Sequence, residues 1–128
     1  MTTNQLLLLI TLTIISTGIE GCSTFESEEK QPLVCGVLDP INELSWLKEQ
    51  YEMIKNTPES GIILYTYNSK EVIEIQSSLM SSTNLSQYYC DGSKLEFDTP
   101  ETYKRDYKDF LGKRVKIKIL YGVDLWKL

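Results

Sequence analysis

The chain predicts an α+β fold: a small antiparallel sheet of about five strands packed against an N-terminal amphipathic helix, with a second short helix. Two stretches carry apolar residues at helical spacing, and several short runs are rich in β-branched and aromatic residues. Those runs are joined by turns instead of helical crossovers, which favours antiparallel pairing. The 128 residues are enough for one domain.

The first segment spans residues 1–21. Leu6 to Ile15 is apolar, and Ser16, Thr17 and Gly18 follow before Gly21 and Cys22. The run is shorter than the roughly 20 apolar residues that span a bilayer, and it has the form of the hydrophobic region of a secretory signal. No Lys or Arg precedes Leu6. The tetrapeptide Ile19-Glu20-Gly21-Cys22 resembles a bacterial lipobox, with Glu20 standing where such boxes carry a small or aliphatic residue. The resemblance implies cleavage before Cys22 and a diacylglycerol on its sulfur. Residues 22–34 then read as an acidic, flexible tether, because STFESEEKQ has almost nothing to bury. Glu26, Glu28 and Glu29 are either a plain solvated linker or similar to the acidic export tag that Bacteroidota place after the lipidated cysteine of surface lipoproteins.

A single folded domain is expected over 35–128. Asp39 before Pro40 is a helix start, with a capping acceptor, a proline where its missing N–H is harmless, and Glu43 near the positive end of the dipole. Leu44, Leu47, Tyr51 and Ile54 continue it on one helical face, and Asn56-Thr57-Pro58 end it. Ile62 to Tyr67 and Val72 to Ile75 flank Asn68-Ser69-Lys70 and predict a hairpin. SSLMSSTNLSQ is a polar loop, and YYCDGSKLEF predicts a second hairpin around Asp91-Gly92. Thr99-Pro100-Glu101 opens a second helix with Tyr103, Tyr107, Phe110 and Leu111 on one stripe. Finally, Val115, Ile117, Ile119 and Tyr121 alternate with Arg114, Lys116 and Lys118, which predicts a strand with one dry face and one basic, wet face.

Three cysteines are an odd count for an exported chain. With Cys22 acylated, Cys35 and Cys90 either bond to each other or stay reduced and buried. A bond would close a long loop and stabilise the domain by roughly 4 kcal/mol in the chain-entropy picture. No metal site is expected, since the chain has no histidine and no Cys-x-x-Cys spacing.

The run Cys35-Gly36-Val37-Leu38-Asp39-Pro40, with Leu44, Trp46, Leu47 and Lys48 after it, resembles the start of a small domain found in Bacteroidota lipoproteins. In that family the helix leads into a Y-x-Y-N hairpin, matched by Tyr65 to Asn68, and a Y-C-D-G turn, matched by Tyr89 to Gly92. The resemblance covers roughly residues 35 to 95. It implies an outer-membrane or surface lipoprotein and brings no activity with it.

The net charge of −5 gives no electrostatic reason to bind nucleic acid, and no basic amphipathic helix is present for anionic lipid. Without histidine, the usual Ser/His/Asp and Cys/His systems are excluded. Glu71 with Glu74, and Asp106 with Asp109, are carboxylate pairs of the type a glycosidase uses, but their neighbours predict solvated faces. Eight tyrosines and two tryptophans are many for a small domain, and Tyr65 and Tyr67, two apart on one strand, form either core or a binding platform. The expected function is therefore that of a lipid-anchored outer-membrane or cell-surface protein without enzymatic activity or cofactor. It would hold the membrane through Cys22 and bind an unknown protein or glycan partner. An alternative is an inhibitor of a secreted hydrolase of the protease or lysozyme type, using loops such as SSLMSSTNLSQ.

Overall fold

The computed structural model describes Gly21 and residues 30–80, 86–97 and 103–127. The apolar run Leu6 to Ile15, Cys22 and the acids that follow it lie outside the described residues, as do Thr99, Pro100 and Glu101. The elements are α1 (Pro40–Glu43), α2 (Ser45–Ile54), β1 (Ser60–Tyr67), β2 (Lys70–Ser77), β3 (Gln87–Tyr89), α3 (Tyr103–Lys113) and β4 (Val115–Gly122). The fold is α+β. Its strands form one antiparallel sheet in the order β3-β2-β1-β4. No helix among the described residues is long and apolar enough to cross a membrane.

Asp39 caps α1 as its sequence suggests: its carboxylate accepts from the Asn42 N–H, and the Asp39 N–H donates to Glu43 in return. The helix nevertheless stops after one turn, because Leu44 is extended (φ −94°, ψ 108°) and half-buried against the core; α2 starts directly after it. One expected helix is thus two. Between β1 and β2, Asn68 and Ser69 both hold positive φ, 49° and 61°, which is the backbone twist a two-residue hairpin turn needs. Lys70 is already paired with Tyr67, so it belongs to the strand and not to the turn.

The sheet has four strands among the described residues, where about five were expected. After the Asp91-Gly92 turn only Lys94 bridges back to Tyr88, and Leu95 instead buries beside Phe110 with Phe97 close by. Burying these apolar side chains against α3 draws the chain out of the sheet.

Helices cover both faces of the sheet. On one, Leu47 and Ile54 of α2 pack on Ile62, Leu64, Ile73 and Ile75. On the other, Phe110 of α3 packs on Val72, with Tyr67, Tyr89 and Tyr107 around it. The positions on β2 that alternate with its isoleucines are therefore interior as well: Glu74 and Gln76 are both completely buried.

β4 does not divide into the expected dry and wet faces: Lys116 and Lys118 are exposed, and its apolar residues are exposed with them. Val115, Ile117 and Ile119 are 58%, 54% and 43% exposed, while the Arg114 side chain is only 6% exposed. The pairing with β1 shifts register twice, between Ile62 and Ile63 and between Leu64 and Tyr65. Each extra residue turns the following side chains to the other face, so strict alternation in sequence does not become alternation in space.

After β4 the chain folds back over β1. Gly61 and Gly122 pair across the two strands, and Val123 N–H donates to Ser60 O at 3.0 Å. A Cβ on Gly61 would lie 1.9 Å from Val123 O, and one on Gly122 would lie 2.0 Å from Ser60 O. Only paired glycines allow this crossing.

Candidate functional site

The crossing delivers Asp124 to the face of the sheet that α3 covers. There, period-two geometry sets Glu74 and Gln76 of β2 on the same side as Tyr65 of β1 and Gln87 of β3. Arg114, directly after α3, reaches in from above. Glu74 accepts three hydrogen bonds at 2.8 Å: from Gln76 Nε2 on one oxygen, and from Gln87 Nε2 and Arg114 on the other. Gln76 also donates to Asp124 at 3.0 Å and accepts from the Leu125 N–H at 2.6 Å. Lys116 Nζ lies 2.8 Å from the second Asp124 oxygen.

This is a connected network in which each charge has a partner, as burial requires. The Arg114 guanidinium carbon lies 4.3 Å from the Tyr65 ring centroid and 5.3 Å from that of Phe110, so the cation is held over aromatic faces as well as by Glu74. Burial pushes the Tyr65 phenol well above its ordinary range, and the negative charge of Glu74 pushes the same way, with Arg114 opposing. For Asp124, burial alone would raise the pKa. Hydrogen bonds from Lys116 and Gln76, with the charges of Lys116 and Arg114, outweigh it and hold the carboxyl below its usual value.

A recess of about 350 Å3 opens on this network, lined by Tyr65, Leu111, Arg114, Lys116, Asp124, Trp126 and Lys127. It offers guanidinium and ammonium donors, one carboxylate and one indole wall. Groups of these kinds can hold and orient a small polar ligand.

The residues singled out in the sequence fall in different places. Tyr65 is 3% exposed, beneath Arg114. Tyr67 is half-buried, packs edge-on to Phe110 and donates its hydroxyl to Asp109 at 3.1 Å. Glu71 and Glu74 lie on opposite faces of the sheet and do not converge, and Glu74 is buried where a solvated face was expected. Asp106 and Asp109 both line a second recess of about 300 Å3 beside Tyr67 and Glu96. The hydrogen bond from Lys113 draws the Asp109 pKa down against the opposing effect of burial, with the Tyr67 hydroxyl adding to it. A carboxyl held ionised in this way is the opposite of a proton donor.

Cys35 and Cys90 form a disulfide, with their Cα atoms 5.3 Å apart. Cys35, at φ 52°, and Gly36, at φ 80°, form the tip of a tight turn between Val34 and Val37. That turn presents the sulfur to β3. The Cys35 N–H donates to Glu71 at 2.9 Å, and the Trp46 indole N–H donates to Cys90 O at 2.9 Å. Glu71 also stands 3.6 Å from the Cys90 sulfur. Although Cys35, Glu71 and Cys90 are close enough to share an ion, bonded sulfurs present no thiolates to a metal. Cys22 lies outside the described residues.

Gln76 and Asp124 are the residues that sequence reasoning passed over, whereas Glu74 and Arg114 were noticed but assigned to solvated faces, and their side chains are in fact buried. The signal for them was two glycines, Gly61 and Gly122, in segments that otherwise read as strand. No protein-family model, curated protein or solved structure matches this chain.

Proposed function

We propose that the protein is an exported envelope protein, anchored in a bacterial outer membrane through a lipid on Cys22, that acts as a non-catalytic binding or structural module. The observation that carries this proposal is the division of the cysteines. Cys35 and Cys90 are joined, which suits an oxidising compartment and leaves Cys22, next to the apolar run and its lipobox-like flank, for another chemistry. The acidic segment after it would hold the domain away from the membrane surface. The resemblance of the Cys35 to Lys48 run to a small domain of Bacteroidota lipoproteins supports the same reading. On the binding side, a recess that gathers guanidinium and ammonium donors, a carboxylate and an indole is suited to retaining a ligand.

Metabolic labelling of cells with a clickable palmitate tests the anchor. The full chain takes up label and fractionates with the envelope, whereas Cys22→Ala stays unlabelled. Label persisting on Cys22→Ala would refute the assignment.

A further inference from the structure

We propose that the recess beside Arg114 and Trp126 is a binding site for a carboxylate-bearing sugar, such as an uronic acid residue of a glycan. The proposal deepens the binding-module reading and rests on it for its setting. The chemistry comes from the recess itself.

Arg114 presents five N–H donors in one plane. Among the described residues its guanidinium makes one hydrogen bond, to Glu74, and Arg114 is one of the residues lining the recess. A planar guanidinium with spare donors is matched to a carboxylate. Lys127, exposed at the mouth, makes no salt bridge among the described residues. Glu74 and Asp124 balance Arg114 and Lys116, so Lys127 leaves this concavity with an excess of positive charge in a protein of net charge −5. A positive hollow in an acidic molecule concentrates small anions locally.

Trp126 supplies the second half of the match. Its indole is a flat apolar wall, and the C–H face of a pyranose ring is a flat surface of the same kind. With the carboxylate on Arg114 and Lys127 and the ring on Trp126, the sugar hydroxyls would meet Asp124 and Lys116. The volume of about 350 Å3 is at the lower end of the range for small-molecule sites and accommodates a sugar unit. Inorganic phosphate would use the cations and ignore the indole, and a neutral sugar would do the reverse. A peptide C-terminus carries the carboxylate without the hydroxylated ring, and it is the competing occupant.

The full chain in detergent is titrated with D-glucuronate, D-glucose, acetate and acetyl-glycine, following the Trp126 indole N–H by NMR. Glucuronate is expected to give a saturable shift with affinity about tenfold above each of the other three. Lys127→Ala, an exposed change that leaves the urea midpoint where it was, should weaken glucuronate about five- to tenfold. Trp126→Ala, followed by calorimetry, should lose it. Equal or tighter binding of acetate, glucose or acetyl-glycine, or no saturable shift at millimolar glucuronate, overturns the proposal. Cys22→Ala should bind glucuronate as the parent does. Failure of the titration with palmitate labelling intact would therefore remove the sugar site alone, and the converse would remove only the anchor.

Discussion

Glu74 is a carboxylate with no exposed surface, and its burial is made tolerable by Arg114, Gln76 and Gln87. Breaking a buried pair from one side costs more than the pair is worth, because the remaining charge stays uncompensated. Arg114→Met is accordingly expected to lower stability by about 3–5 kcal/mol in urea unfolding. The double variant Glu74→Gln/Arg114→Met should recover most of that loss; if the double falls as far as the two singles combined, the two residues are not coupled. Nothing local announces this arrangement. Ile73 and Ile75 alternate with Glu74 and Gln76, and such a pattern distinguishes two faces of a strand without saying that both are covered. The cover comes from α3 and from residues 122–125, remote in sequence, whose arrival depends on the absent side chains of Gly61 and Gly122.

Among the elements, those governed by neighbours in sequence were the most legible. The Asp39-Pro40 cap and the Asn68-Ser69 turn carry their instructions in side chains that act on the adjacent backbone. The break at Leu44 and the register shifts of β4 do not, since each follows from where the core needs an apolar side chain. The disulfide lies between these cases: counting cysteines identified the two partners, but the turn at Cys35 that aims the sulfur was not foreseen. It closes a loop of sequence separation 55, for which chain entropy gives a stabilisation of about 4 kcal/mol. Replacing both residues, Cys35→Ser/Cys90→Ser, should lower the unfolding free energy by about that amount while far-UV circular dichroism is retained. A change below about 1 kcal/mol would mean the crosslink constrains little in the unfolded chain.

For the molecule as a whole, acid is the condition that tests the charge arrangement. Asp91, Asp109 and Asp124 all have pKa values below the ordinary 3.8. A carboxyl depressed by folding contributes stability that is fully present above its unfolded pKa and is lost as pH falls through the folded one. Stability should therefore be level from about pH 5 to 8 and decline below about pH 4. Asp124→Asn, which removes the buried member of the three, should flatten that acid limb; an unchanged slope would show that Asp124 does not contribute to it. The disulfide has a further consequence, mechanical in kind. Any load entering from the N-terminal side passes Val34, buried in the core, and at Cys35 meets a covalent bond to Cys90, at the end of β3. Helices α1 and α2 and the β1-β2 hairpin lie inside the closed loop, off the line of force. A pull from the N-terminal side would be borne by a chemical bond before it reached that part of the core, so that half would not be unravelled.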